Sequence, residues 1–154
     1  MARPEVQQIH IRPMPNPTVR VTIEVPRGGH RKRAWSPGGL ITEYVSPVPS
    51  PFNYGCVRDS PSSYGDPLDA VVLGPRRAPG AEVVVVVRGV VRFTDAGQAD
   101  PKLVCAGSAV SDADRRTVER FFRRYAVARR LLNRLQGLTG ETAFLGVDWH
   151  ATGV

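Results

Sequence analysis

The sequence predicts an α+β chain, mainly β, in which a series of short strands leads into one long helix near the C-terminus. Three observations carry this. Residues 18–25 alternate apolar and polar, residues 81–94 are mostly valine, and residues 112–136 space apolar side chains three and four apart. A chain of 154 residues, 42% of them hydrophobic, is long enough to build a core, so a single domain over 1–154 is expected, with residues 1–17 as an extended, proline-punctuated arm. No apolar run reaches membrane length and no signal-peptide pattern opens the chain, so a cytoplasmic location without membrane contact is expected. Cys56 and Cys105 stand far apart, with neither a disulfide framework nor metal-ligand spacing.

In chain order, Val19, Val21, Ile23 and Val25 alternate with Thr18, Arg20, Thr22 and Glu24, a half-buried strand stopped by Pro26. Residues 27–33 form a glycine turn with five possible cations, which suits either a solvated hairpin tip or a phosphate-binding loop. Residues 34–45 read as two short strands around Ser36-Pro37-Gly38-Gly39, and 52–57 as a strand with a glycine kink. Asp66 and Asp69 stand three residues apart around Pro67, where a turn can converge both carboxylates on a cation, just before the apolar strand 70–73. The β-branched run 81–94 is expected as strand, broken or bulged at Gly89. Asp95, Asp100 and Lys102 then flank a second glycine turn ahead of the strand 103–106. The helix over 112–136 is expected to be capped by Ser111 or Asp112 and ended by Gly137. Its apolar face is Val118, Phe121, Phe122, Tyr125, Ala128, Leu132 and Leu135. Arg116, Arg120, Arg123, Arg124, Arg130 and Arg134 make the opposite face, which reads as solvated rather than as a nucleic-acid surface. A last apolar piece is Phe144 to Val147.

The formal net charge is +7, and of 21 basic residues only Lys32 and Lys102 are lysines. In so arginine-rich a chain, a retained lysine hints at a position that needs a compact ammonium.

Taken together, Asn53-Tyr54-Gly55, Gly65-Asp66-Pro67-Leu68-Asp69-Ala70, and Thr94-Asp95 with Asp100 and Lys102 resemble the family I soluble inorganic pyrophosphatases. Ile23-Glu24-Val25-Pro26 with Gly28 and Lys32 looks like that family's first active-site strand, and Phe121-Phe122 with Tyr125 like its C-terminal helix. The resemblance runs from about Val19 to about Trp149, and both lysines fall on lysine positions of the family. It implies a five-stranded, OB-like β-barrel with flanking helices, Mg2+ or Mn2+ as cofactor, and a homo-oligomer. It also implies roles. Asp66 would be the base acting on the attacking water. Asp69, Asp95 and Asp100, with Asp66, would be metal ligands, and Glu24 would support the metal cluster. Lys32, Tyr54, Lys102 and Tyr125 would contact phosphate or order the site. Hydrolysis of so highly charged a substrate needs that neutralisation.

The departures cluster on the side that would hold the leaving phosphate. Tyr64 replaces an aspartate of the family's signature, Thr42, Glu43 and Tyr44 occupy the region of an arginine, and Ala126 replaces a lysine. Ala34 and Ser50 stand where the family has glutamate and tyrosine. Arg129 and Arg58 are candidates to rebuild the lost clamp, and lysine at position 126 with aspartate at 64 would restore it. Three readings follow: an Mg2+-dependent hydrolase of inorganic diphosphate, a hydrolase of an organic phosphate or diphosphate with an altered leaving-group pocket, or a non-catalytic binding scaffold.

Overall fold

A computed structural model describes residues 17–36, 38–45, 48–61 and 67–150; at 31–36, 39–45, 59–61 and 67 the description covers the backbone alone. Nearly all of the arm expected over 1–17, together with Tyr64 and Asp66, lies outside the described residues, as does the side chain of Lys32.

The strands are β1 (Thr18–Val25), β2 (Arg31–Ser36), β3 (Gly39–Val45), β4 (Asn53–Pro61), β5 (Pro67–Val72), β6 (Glu82–Asp95), β7 (Gln98–Ala99), β8 (Lys102–Ala106) and β9 (Ala143–Trp149), with helix α1 (Asp112–Leu135) before the last. The order β1-β4-β5-β8-β6, closed by pairing of β1 with β6, makes the expected five-stranded barrel. Four of its five pairings are antiparallel; β5 and β8 run parallel. The β2–β3 hairpin forms its own small sheet, and β7 and β9 add to β6.

Strand alternation sorts the apolar residues into two cores. Val21, Ile23, Val57, Ala70, Val72, Val85, Val87 and Cys105 fill one, which is the barrel interior. Phe52, Val71, Leu73, Val91, Phe93, Val104 and Ala106 line the outside of the wall, where Val118, Phe122 and Ala126 of α1 cover them. Burial of each large apolar side chain in this second core contributes about 1.5–3 kcal/mol, enough to fix the helix against the wall. Burial in the barrel interior pushes the Cys105 thiol up to about 12.

The valine run is one continuous strand, not two. Its register shifts between Val87 and Gly89 against β8, so one extra residue is accommodated as a bulge. The bulge reverses the alternation. Val85 and Val87 point into the barrel, whereas Val91 and Phe93, of the same parity, face the helix.

Ser111 caps α1, its side chain accepting from the Asp114 amide at 3.1 Å. The apolar face expected for this helix holds in its first half only. Val118 and Phe122 are buried, and Phe121 and Tyr125 pack against them. Beyond Tyr125 the buried residues are Ala126 and Asn133, while Ala128, Leu132 and Leu135 are exposed. Val127, Leu131 and Leu135 form an exposed apolar stripe at i, i+4 and i+8. No helix among the described residues is long and apolar enough to cross a membrane.

Candidate active site

Pro67 opens β5 rather than forming a turn, as a proline can at the first residue of a strand. Asp69 is therefore a strand residue, and parallel pairing sets it directly beside Lys102, the first residue of β8. On the other side of β5, Asp69 lies opposite Cys56 of β4. Asp69, Val71 and Leu73 share a face by alternation, as do Lys102, Val104 and Ala106. The charged pair is thus the outer end of the same face that forms the apolar core under α1.

Lys102 is 1% exposed. Its Nζ donates to Asp69 Oδ2 at 2.8 Å and to Asp100 Oδ2 at 3.1 Å. Buried ammonium needs such pairing, because an isolated charge in the interior is costly. Burial pulls the lysine's pKa down, and Asp69 and Asp100 outweigh it, so the net direction is up. Tyr54 shares the site, hydrogen-bonded to Asp69; burial first, then the Asp69 charge, raises its phenol well above the ordinary value. Tyr125 stands close enough to contribute to both shifts. It packs on Phe93 with ring centroids 5.3 Å apart, and Phe93 is on β6. Glu24 is buried beside the bulge where β1 meets Tyr54 and Gly55.

Asp95 ends β6 and Asp100 precedes β8, joined by a tight hairpin in which Ala96 and Gly97 both have positive φ. The two carboxylates have different partners. Asp100 meets Lys102, but Asp95 Oδ2 accepts from Arg129 Nη2 at 2.9 Å and Oδ1 from Asn133 Nδ2 at 2.7 Å. Among the described residues no three His, Cys, Asp or Glu side chains come together to hold a metal ion. Asp69 and Asp100 fit a Mg2+-class ion, since such an ion commonly takes one or two carboxylates and completes its shell with water and substrate oxygens. Asp95 differs in carrying a guanidinium on one oxygen and a buried amide on the other.

Two further sequence-based expectations change. Ala126 is 2% exposed in the apolar core, so lysine there would bury a charge and overpack the helix rather than restore a clamp. Arg58 belongs to a different surface, where it donates to Thr22 Oγ1 at 2.9 Å and pairs with Glu82. Sequence reasoning also missed how Asn53 works. Fully buried, it accepts from the amides of Arg27 and Arg77 at 3.0 and 2.9 Å and donates to the carbonyls of Val72 and Pro75. It ties together the loops that flank the site strands. Its neighbour Tyr54 in the Asn-Tyr-Gly triplet was the available signal.

The family model described as inorganic pyrophosphatase matches residues 21–143. The chain belongs to the inorganic pyrophosphatase family. It is 32% identical over 126 residues to the inorganic pyrophosphatase of Streptomyces coelicolor, covering 68% of this chain and 75% of that one. To the inorganic pyrophosphatase of Corynebacterium efficiens it is 31% identical over 124 residues, with 70% and 78% covered. Among solved structures, the inorganic pyrophosphatase of Thermus thermophilus superposes with a TM-score of 0.70 at 24% identity, covering 86% of this chain and 82% of that one. The Helicobacter pylori enzyme gives 0.69 at 22%, with 86% and 84% covered. These structural likenesses show the shared barrel fold.

The pKa directions give a pH prediction. Lys102 and Tyr54 both hold their protons more tightly in the folded chain. Their stabilising contribution is fully present below the unfolded values near pH 10 and is lost as pH rises through the folded ones. Melting temperature should therefore be insensitive to these two groups from pH 7 to about 9.5 and fall above about pH 10. In Tyr54→Phe the alkaline fall should be shallower. Thermal melts by circular dichroism from pH 7 to 12 test this, and superimposable alkaline limbs for the two proteins would contradict it.

Proposed function

We propose that this chain hydrolyses inorganic diphosphate to two phosphates, with Mg2+ or Mn2+ as cofactor. The observation that carries the reading is the buried Lys102 ammonium held between Asp69 and Asp100 at the ends of adjacent strands, with Tyr54 and Tyr125 beside it. Asp69 and Asp100 are the proposed ligands, joined by Asp66, which is also the base for the attacking water. A bound divalent ion would neutralise the diphosphate and acidify that water. Lys102 supplies a fixed positive charge to phosphoryl oxygens without reorganising, because its two carboxylates already hold it in place. Tyr54, kept protonated by burial and Asp69, is a hydrogen-bond donor over the whole physiological range. Lys32 and Glu24 complete the proposed site. The cytoplasm is the proposed location, consistent with two buried cysteines outside any disulfide, and a homo-oligomer the proposed assembly, for which the Val127–Leu131–Leu135 stripe offers apolar surface.

One observation favours a second reading, an organic phosphate or diphosphate as substrate. Ala126 packs in the apolar core, so that position offers no charge to a phosphate leaving group. Phosphate release from a panel of inorganic diphosphate, organic diphosphates and monoesters, with and without Mg2+, separates the two. Mg2+-dependent release from inorganic diphosphate is the expected result, and Asp100→Asn should lower it by roughly tenfold or more, the worth of one charge-assisted contact in the transition state. Release from organic substrates alone would establish the second reading, and release from none would leave a binding scaffold.

A further inference from the structure

The last two turns of α1 bury a polar row where an amphipathic helix would bury leucines. Arg129 and Asn133 lie one turn apart and converge on the single carboxylate of Asp95. Asn133 is 4% exposed, and its Nδ2 also donates to Thr142 Oγ1 at 2.9 Å. The same Thr142 hydroxyl accepts from the Ala96 amide at 3.0 Å, and the Thr142 carbonyl accepts from Arg130 Nε at 2.7 Å. Three segments are locked by these contacts: the β6–β7 hairpin, the end of α1 and the loop before β9. The Arg129–Asp95 pair is therefore a built contact, unlike an ion pair between two freely moving surface side chains.

We propose that Arg129 is the resident cation of Asp95, replacing a divalent ion there, and that Asn133 holds the pair in place, so that metal binding is confined to the Asp69–Asp100 side of the site. The inference rests on the reading above that Asp69 and Asp100 bind a divalent ion. A metal at Asp95 would have to compete with a donor on whichever oxygen it took, and one of those donors is a guanidinium that never loses its proton. Lys102, by contrast, makes a single-point contact with each of its carboxylates; Asp69 also accepts from Tyr54, but both are about a third exposed, at 32% and 36%, against 20% for Asp95. The chain should thus need fewer divalent ions per site than one in which the terminal aspartate of β6 is free.

Mn2+ titration of the full chain without substrate, with free Mn2+ read by electron paramagnetic resonance, tests this. Asp95→Asn should leave the number of bound Mn2+ ions unchanged and their affinity within about twofold, whereas Asp100→Asn should lose a site or weaken it by roughly tenfold or more. Arg129→Gln should gain one Mn2+ per chain, and Arg129→Lys, which keeps the charge, should not. Loss of a bound ion in Asp95→Asn, or equal saturation of the original chain and a folded Arg129→Gln, would overturn the proposal. Asp95→Asn keeps one acceptor oxygen for these two donors, and Asp100→Asn leaves the cluster untouched, so the test does not depend on whether Arg129→Gln folds. Phosphate release is a separate readout. Its absence alongside the expected Mn2+ counts would sink the hydrolase reading and leave this inference standing.

Discussion

Lys102→Met should lower diphosphate hydrolysis on the order of a hundredfold or more, which corresponds to about 2.7 kcal/mol of transition-state stabilisation. Methionine keeps the unbranched chain that fills this buried position and removes only the charge. Two consequences follow from the same geometry. The phosphoryl oxygens lose a pre-positioned cation. Asp69 and Asp100 also lose the charge that both now share. Breaking a fully buried pair costs about 3–5 kcal/mol, but each carboxylate is about a third exposed and partly solvated. The expected loss of stability is therefore smaller, about 1–3 kcal/mol, or roughly 3–10 °C in melting temperature. Mg2+ should recover part of that loss, since an ion that binds the folded chain stabilises it by mass action and would now be the main neutralising charge. Melts with and without Mg2+, set beside phosphate release, test both halves. A variant with unchanged melting temperature and unchanged rate would remove Lys102 from the centre of the site.

Gly55→Ala should destabilise the fold by about 3 kcal/mol or more. A Cβ on Gly55 would sit 2.0 Å from the Thr22 carbonyl oxygen, 2.8 Å from its carbon and 3.1 Å from the Ile23 Cα. All three are backbone atoms, so no side-chain rotation relieves the clash. β1 and β4 would have to part where Ile23 pairs with Gly55. Tyr54 is the adjacent residue, so its hydroxyl should also leave Asp69 and the alkaline behaviour described above should be lost with it. Urea unfolding measures the effect. A loss below about 1 kcal/mol would mean that β1 and β4 can part at this point at little cost, and would contradict the prediction.

Some of this was legible in the sequence and some could not be. Residues 18–25 declare a strand because one face is buried and the other is not. The valine run declares strand by composition, but with valine on both faces it carries no phase, so the bulge between Val87 and Gly89 and the reversal it causes were hidden. The helix was read correctly as far as Tyr125, where its partner surface is apolar. Beyond that the surface facing it is Asp95 and Thr142, and a search for apolar periodicity cannot see a helix whose buried residues include Asn133. Within the site, the family resemblance supplied the residues and the two isolated lysines independently pointed to Lys102. Its pairing with Asp69 depends on β5 and β8 lying side by side, a contact between strands separated by the whole of β6. No local spacing encodes that.

The two cysteines lie on opposite sides of one barrel wall. Cys105 is inside the barrel, and Cys56 is on the outer side, directly across from Asp69. Both are buried and neither forms a disulfide, and the Cys105 thiol, at about 12, is almost wholly protonated at neutral pH. A thiol reagent therefore has to wait for the chain to open before it can react. Opening of the outer face beside Asp69 would uncover Cys56 alone, whereas labelling Cys105 requires the closed ring of strands itself to come apart. The order in which the two residues acquire label thus separates breathing of the site from unfolding of the barrel, with no probe introduced.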